Sequence, residues 1–453
     1  MKVFNTLSGQ KEEFKPQRDV VTMYVCGVTV YADCHIGHAM SYVIFDVIRR
    51  YLKFRGYKVK HVQNFTDIDD KIIERANQLG ISSAELSGKY IESYFADMDA
   101  LNIVHADVYP YATKEVPKII EMVQGLIDKG YAYESAGSVY YRVQKFADYG
   151  KLSHRKLSDI ESRDCAYGVE KDHPLDFVLW KASKPDEPSW ESPWGQGRPG
   201  WHIECSAMAL RYLGDSIDIH GGGQDLIFPH HENEITQSES YTGVKPFAHY
   251  WIHNGLLQLD KQKMSKSLGN LITVKDMLER FSPDAIRLFI LGSHYRSPLL
   301  FSDESLVNAE KAAERLRVAL ERKGTDDAGM ANLDASSFEK KFIEVMDDDF
   351  NTAQALAVLF DLAREINRAI EEGMRVSESQ GTLIKLAGLL GLTLKRESKK
   401  ISGAEPFIDL LVSVREDLRR EKQWQLADKI RNSLIDAGVI IEDNPTGTIW
   451  KYK

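Results

Sequence analysis

Cysteine is scarce in this chain: four in 453 residues, Cys26, Cys34, Cys165 and Cys205, with no Cys-x-x-Cys pair. So few thiols make no disulfide framework, and reduced cysteines, some of them metal ligands, are expected. Long apolar runs are missing too. No window approaches the ~18 continuous apolar residues of a membrane span, so no membrane partner is expected. The opening Met1-Lys2-Val3-Phe4-Asn5-Thr6-Leu7 has neither the apolar core of a signal peptide nor the Arg-rich, acid-poor look of a transit peptide, and a cytoplasmic location is expected. Internal repeats and low-complexity tracts are absent. Positive charge is in deficit, and the net charge of −9 argues against a general nucleic-acid binder. One segment runs against that balance: Lys395 to Arg431 carries ten Lys/Arg against seven Asp/Glu. A specific nucleic-acid partner can dock there while the acidic remainder limits indiscriminate binding. A solvated helix face explains the charge equally well.

What is present is a globular composition, 43% apolar and 28% charged, with enough chain for about three domains or one large domain with appendages. The stretch that organises the rest is Tyr24-Val25-Cys26-Gly27-Val28-Thr29-Val30-Tyr31-Ala32-Asp33-Cys34-His35-Ile36-Gly37-His38. Val20, Val21, Met23, Val25 and Val28 form a mostly apolar run suited to a parallel strand. A glycine-bearing turn follows, then a helix from near His38 through Tyr51, with Asp33 or His35 as its cap. A helix N-terminus after a parallel strand offers free N–H groups and a positive partial charge, a natural phosphate seat. His35 and His38, with Gly37 between them, can lie against a phosphate where bulkier residues cannot. Read alone, His-x-Gly-His is equally a chance strand–turn–helix.

Residues 20–63 read as strand–helix–strand, the start of a nucleotide-binding α/β unit. Asn64-Phe65-Thr66-Asp67-Ile68-Asp69-Asp70-Lys71 then lies at a strand end, where open sheets bind ligands. Helices are expected through Ile72–Ala76, over Ser83–Leu101 and over Glu115–Lys129. At Tyr131 the period changes to two, giving a hairpin that turns at Ala136-Gly137. Residues 115–200 read as an insertion between two halves of the α/β domain. The pattern resumes near Trp201. Ser216–Ile219 is expected as a central strand, with His220-Gly221-Gly222-Gly223 just past it, where glycines let the backbone approach a ligand. A helix from about Phe228 sets His230, Glu234 and Gln237 on one face. Helices over 303–323, 337–373 and 380–391 read as a bundle. A linker at 395–402 leads to two helices, near 404–420 and 422–436, and a strand–turn–strand ending at Trp450.

The second strong motif is Lys263-Met264-Ser265-Lys266-Ser267, followed by Leu268-Gly269-Asn270. Two lysines three apart, among small hydroxyl residues and a glycine, suit a mobile loop that closes on polyphosphate. Their ammonium groups offset charge growing on a leaving pyrophosphate. Together with His35-Ile36-Gly37-His38 upstream, the pair resembles the two signatures of the class I aminoacyl-tRNA synthetases. The flanking text is similar to the cysteinyl-tRNA synthetase family. It comprises Cys26-Gly27-Val28-Thr29-Val30-Tyr31, Asn64 to Lys71, Gly200-Trp201-His202-Ile203-Glu204-Cys205-Ser206-Ala207-Met208 and Phe228-Pro229-His230-His231-Glu232-Asn233-Glu234, and the likeness runs from the first strand to Trp450.

The expected fold class is α/β. A Rossmann-like parallel-sheet catalytic domain has its first half at 1–114 and its second at 201–260, around an α+β connective insertion at 115–200. Residues 261–302 carry the Lys-Met-Ser-Lys-Ser motif, 303–394 form a helical bundle, and 395–453 form a small mixed C-terminal module. From spacing alone, zinc is a weak reading of Cys26, Cys205, His230 and Glu234, against buried structural cysteines and a helix-surface His–Glu pair. The resemblance implies that these four hold one Zn2+ per chain in the amino-acid pocket, lined by Thr66 and Trp201. Zinc lowers a coordinating thiol's pKa, and a serine hydroxyl is a poor ligand by comparison. Such a site separates L-cysteine from serine without an editing domain, for which the insertion is too short. For ATP, with Mg2+, the expected contacts are Gly37, His220, Gly222, Asp225 and Lys266, with Asp225 accepting from a ribose hydroxyl. His202, His220 and His231 are each open between structural and ligand roles, with His220, beside the glycines, favoured for the ligand, and the Asp67/Asp69/Asp70 cluster is read as capping and ion pairing, satisfied by Lys71 and the helix start. In the C-terminal module the resemblance implies anticodon reading by Arg419, Trp424, Asp428 and Asp443.

The implied reaction is ATP-dependent attachment of L-cysteine to tRNA-Cys, by a monomer. It runs through an adenylate, with the 2′-hydroxyl of the terminal adenosine as acceptor. His35, His38, Lys263 and Lys266 do the positioning and charge stabilisation. Two competitors remain: a ligase joining the adenylate to a small amine, which needs no C-terminal module, and a non-catalytic tRNA-binding paralogue, which needs no lysine motif.

Overall fold

The computed structural model describes residues 1–157, 171–259, 262–263, 272–327, 329–396, 405–444 and 447–452. An N-terminal hairpin, Lys2–Asn5 with Gln10–Glu13, precedes the central sheet. That sheet has four parallel strands: β1 (Val20–Val25), β2 (Lys58–Gln63), β3 (Ile217–Gly223) and β4 (Ala248–Asn254), in the order β4-β3-β1-β2. Val21 to Val25 are all buried, as a central parallel strand covered on both faces requires. The chain leaves β1 toward β2 on one side and returns as β3 on the other. The switch point therefore lies between β1 and β3, and a crevice opens at their C-terminal ends. There the Cys26 amide donates to the Gly221 carbonyl at 3.1 Å.

Four helices frame that crevice: α1 (Ile36–Phe54), α2 (Asp70–Leu79), α3 (Trp201–Leu213) and α4 (Glu232–Thr242). His35, not Asp33, caps α1: its Nδ1 accepts from the Gly37 and His38 amides at 3.1 and 3.3 Å. Asp33 is taken by Ser93 and Lys275. Asp69 caps α2 by accepting from the Lys71 amide, Asp67 receives the Thr113 amide and hydroxyl, and Asp70 pairs with Lys181 and Arg198. The three carboxylates are thus spent on capping and cross-linking.

Three expectations need revision. The glycine triplet does not follow β3 but ends it, with Gly221, Gly222 and Gly223 opposite Ile252, His253 and Asn254. A Cβ on Gly221 would lie 2.2 Å from the Phe45 ring of α1, so the bare backbone is what lets helix and strand pack. The helix expected from Phe228 begins at Glu232. Phe228 is extended, and Ile227–His231 form a wide turn that delivers His230 and His231. The expected helix over 337–373 is two, Ser336–Asp347 and Thr352–Glu371. Between them Asp349 and Phe350 take positive φ, and the buried Asp349 carboxylate accepts from the Phe4 amide, the Tyr295 hydroxyl and Arg296 Nε.

The insertion follows the helix Ala112–Asp128 with a four-stranded antiparallel sheet: Ala132–Ser135, Ser138–Tyr141, Phe177–Ala182 and Gly197–Pro199. Its first turn sits at Ala136 and Gly137, both at positive φ. One apolar core joins α1 to the bundle helices, and a second joins Tyr24, Cys26 and Val62 to the insertion and α3. These shared cores run through Met1–Lys395, which forms one compact unit. Arg396–Lys453 is the other unit. There the helices Glu405–Arg420 and Trp424–Asp436 pack on the hairpin Val439–Asn444 with Gly447–Tyr452, through Ile408, Val412, Leu434, Val439 and Ile441. Among the described residues no helix is long and apolar enough to cross a membrane.

Candidate functional site

A cavity of about 360 Å³ opens at the switch point. Its lining includes Cys26 and Gly27 after β1, His35, Gly37 and His38 at the start of α1, Gly222 and Gly223 of β3, Asp225, Lys71 of α2 and Trp201 of α3. Gly27 admits no side chain, because a Cβ would lie 1.6 Å from the Asn64 carbonyl oxygen. Its amide donates to Asn64 Oδ1 at 2.9 Å, fixing the turn after Cys26.

His35 and His38 stack with ring centroids 3.7 Å apart. Burial lowers the His35 pKa despite nearby Asp225, and burial together with His35 drives His38 down to about 3. Both shifts favour the neutral imidazoles, which serve as hydrogen-bonding groups. His38 Nδ1 is buried without a partner among the described residues.

On the Cys26 side of the cavity lies a cluster of donor atoms. Ligand atoms of Cys26, His230, His231 and Glu234 all lie within 4.8 Å of one another. Cys26 Sγ is 3.8 Å from Cys205 Sγ, 3.5 Å from Glu234 Oε1 and 3.2 Å from His231 Nε2. His230 Nε2 stands 3.1 Å from Glu234 Oε1. The i, i+4 spacing thus places both on one point, although the helix begins later than expected. Zinc–sulfur bonds of about 2.3 Å in a tetrahedron space two sulfurs about 3.8 Å apart, so the thiol pair already has the spacing of two zinc ligands.

The surroundings agree. Glu234 Oε2 is held by His220 Nε2 at 2.8 Å, and the His230 Nδ1 faces His202 Nδ1 at 2.9 Å. His231 Nδ1 meets His253 Nε2 at 2.8 Å, and His253 in turn reaches the Thr6 hydroxyl. Hydrogen bonding from Cys26 lowers Cys205 to about 6, whereas burial pushes Cys26 well up. Burial opposes the shifts of the other two: His220 and His230 still hold Glu234 down at about 2, and Glu234 and Cys205 hold His230 up at about 10. Two sulfurs, an imidazole and a carboxylate converging on one buried point are a donor set suited to a soft divalent cation.

The expected residues divide accordingly. Cys26, Cys205, His230 and Glu234 come together, and His35, Gly37, His38, Gly222, Asp225 and Trp201 line the cavity. Trp201 stacks on His230 with centroids 4.3 Å apart. His220, expected at the ATP, is fully buried behind Glu234, stacks on Trp251 and lines no part of the cavity. Thr66 is likewise buried and off the lining; its hydroxyl donates to Glu204. Residues 264–271, with Lys266, and the Lys263 side chain lie outside the described residues, as does Cys165. In the terminal unit Trp424 is 55% exposed and Asp428 is exposed. Asp443, however, accepts two bonds from the buried Arg415, one from Thr448, and an ion pair from Arg419. Asn64 and Tyr31 carry no role of their own in the sequence reading, and the Lys71 ammonium, expected to satisfy the Asp67/Asp69/Asp70 carboxylates, does not: those are taken by Thr113, the helix amide, Lys181 and Arg198. The strand-end position of Asn64 and Lys71 was the signal that could have singled them out.

Residues 13–311 match the model of the class I (C) tRNA synthetase catalytic domain, and 341–395, within the bundle, match the DALR domain. Over its whole length the chain is 59% identical to the cysteine–tRNA ligase of Dehalococcoides mccartyi, covering all of both chains. The chain belongs to the cysteine–tRNA ligase family. The family member from Thermodesulfovibrio yellowstonii is 48% identical, again over the full length of both. Beyond the family, the fold is that of Mycobacterium tuberculosis methionyl-tRNA synthetase in complex with methionyl-adenylate. The TM-score is 0.60 at 17% identity, covering 87% of this chain and 94% of that one.

Proposed function

We propose that the protein activates L-cysteine with ATP and attaches it to the terminal adenosine of tRNA-Cys. The observation that carries this reading is the thiol–imidazole–carboxylate cluster of Cys26, Cys205, His230 and Glu234 on one side of a cavity with a nucleotide-binding helix start on the other. The full-length cysteine–tRNA ligase relatives support it.

In the first step a carboxylate oxygen of the amino acid attacks the ATP α-phosphorus. The bond to the bridging oxygen breaks, and its electron pair leaves with pyrophosphate. In the second, a hydroxyl of the terminal adenosine attacks the carbonyl and AMP departs. His35 and His38 orient phosphate oxygens as neutral partners, Gly37 admits them, and Asp225 accepts from the ribose. Lys263 and Lys266 take the charge of the leaving pyrophosphate, and Mg2+ accompanies ATP. Cys26, Cys205, His230 and Glu234 would hold zinc, with His220 and His202 orienting the carboxylate and the imidazole. When bound, zinc supplies a soft position that takes a thiolate and refuses a hydroxyl. Trp424 and Asp428 offer the terminal unit's stacking face and acceptor for the anticodon, while Arg419 and Asp443 exchange their mutual ion pair for RNA. We place the reaction in the cytoplasm, where ATP and tRNA meet. ATP–pyrophosphate exchange across the amino acids tests the reading. Exchange with cysteine and at least about 100-fold less with serine is expected; equal exchange with both overturns it.

A further inference from the structure

The activation step proposed above brings a carboxylate against a triphosphate, so two anions must meet in one cavity. Burial lowers the pKa of both signature histidines, so the lining's other side chains bear on how those charges are offset. Among the described residues that line the cavity there is one acid, Asp225, and one basic side chain besides the histidines, Lys71.

Lys71 is oddly placed for a structural lysine. It sits in the first turn of α2, after the cap Asp69, where the helix field disfavours a cation. The nearby carboxylates are all engaged elsewhere: Asp67 by Thr113, Asp69 by the helix amide, and Asp70 by Lys181 and Arg198. Lys71 has no ion-pair partner among the described residues. Its ammonium lies 5.8 Å from the ring centre of Tyr31, another residue of the cavity wall. The Asp70 pairs tie the start of α2 to the insertion strands Phe177–Ala182 and Gly197–Pro199, so the lysine is presented from a fixed backbone. Lys71 is exposed where it lines the cavity, and a cation placed there against the local helix preference, with no ion-pair partner among the described residues, is free to meet an anion that enters.

We propose that Lys71 is a catalytic residue of the activation step, its ammonium taking the oxygens of the amino-acid carboxylate and the ATP α-phosphate as the bond between them forms. The inference rests on the functional reading above. The same ammonium chemistry would suit a phosphate of the tRNA 3′ end, so the test separates the two sources.

Lys71→Met and Lys71→Arg are made in the full-length, zinc-loaded protein. Cysteine-dependent pyrophosphate exchange is measured without tRNA, and transfer from preformed cysteinyl-adenylate to tRNA is measured in a single turnover. Lys71→Met is expected to lower the exchange kcat by about 100-fold, with zinc content, melting temperature and the KM for cysteine near those of the parent. Lys71→Arg recovers a large part of the loss, and transfer stays within about threefold for both variants. Exchange by Lys71→Met within about threefold of the parent overturns the proposal. So does a loss confined to transfer, which assigns the lysine to the tRNA, or a loss that tracks zinc content or melting. A parent protein without cysteine-dependent exchange would instead overturn the functional reading itself.

Discussion

Glu234 divides its two oxygens: Oε1 faces His230 and Cys26, and Oε2 is held by His220. His220 thus touches the donor cluster through Glu234 and lines no part of the cavity, and the proposed zinc site gives it the part of a positioning residue. Removing it frees the carboxylate to rotate away from its shared point with His230. His220→Ala is expected to weaken zinc binding by about 10–100-fold, read by competition with a chelator. Retention of the parent's zinc affinity would show that Glu234 needs no support. At this scale the i, i+4 spacing pointed to the His230–Glu234 contact, although the helix face assumed for it is absent: His230 comes from the wide turn before α4. The sequence did not make His220 readable. A histidine followed by three glycines looks like a ligand contact, and only the sheet reveals that the strand continues and turns this side chain inward among Trp251, His231 and Glu234.

Among the elements, β3 and α1 set the crevice. Both were visible as apolar periodicity, but their junction was not. The triplet at 221–223 suits either a loop or a strand interior, and pairing with Ile252, His253 and Asn254 decides for the strand. Gly221 then serves packing: a Cβ there would meet the Phe45 ring, itself 1% exposed and unable to swing out. Gly221→Val is expected to destabilise the fold by about 1–3 kcal/mol, seen as a lowered melting temperature. An unchanged melt would mean that α1 can shift on the sheet. The break at 348–351 was hidden for a different reason. Apolar spacing runs on through Phe342, Met346 and Phe350, while the interruption comes from Asp349 receiving partners from the distant Phe4, Tyr295 and Arg296. Long-range hydrogen bonds leave no local signal.

For the whole molecule, the family likeness spans the full chain, yet the contacts fall into two units, Met1–Lys395 and Arg396–Lys453. The cavity and the donor cluster lie entirely in the first. Deleting residues 396–453 is therefore expected to leave cysteine-dependent exchange within about twofold, while charging of tRNA-Cys falls by at least about 100-fold. Undiminished charging by the truncated protein would remove the anticodon role from the terminal unit. In the composition the terminal unit is marked by its local excess of Lys and Arg, which a solvated helix face explains equally well. The composition could not tell that Arg419 and Asp443 bind each other in the absence of RNA. The central claim is that one cavity chooses the amino acid by its sulfur and activates it with ATP. Its most direct measurement is the absorption spectrum of the protein with cobalt in place of zinc. The account predicts thiolate-to-cobalt charge-transfer bands from Cys26 and Cys205 that grow when L-cysteine is added and do not respond to L-serine. A spectrum unchanged by cysteine, or changed equally by both amino acids, would contradict it.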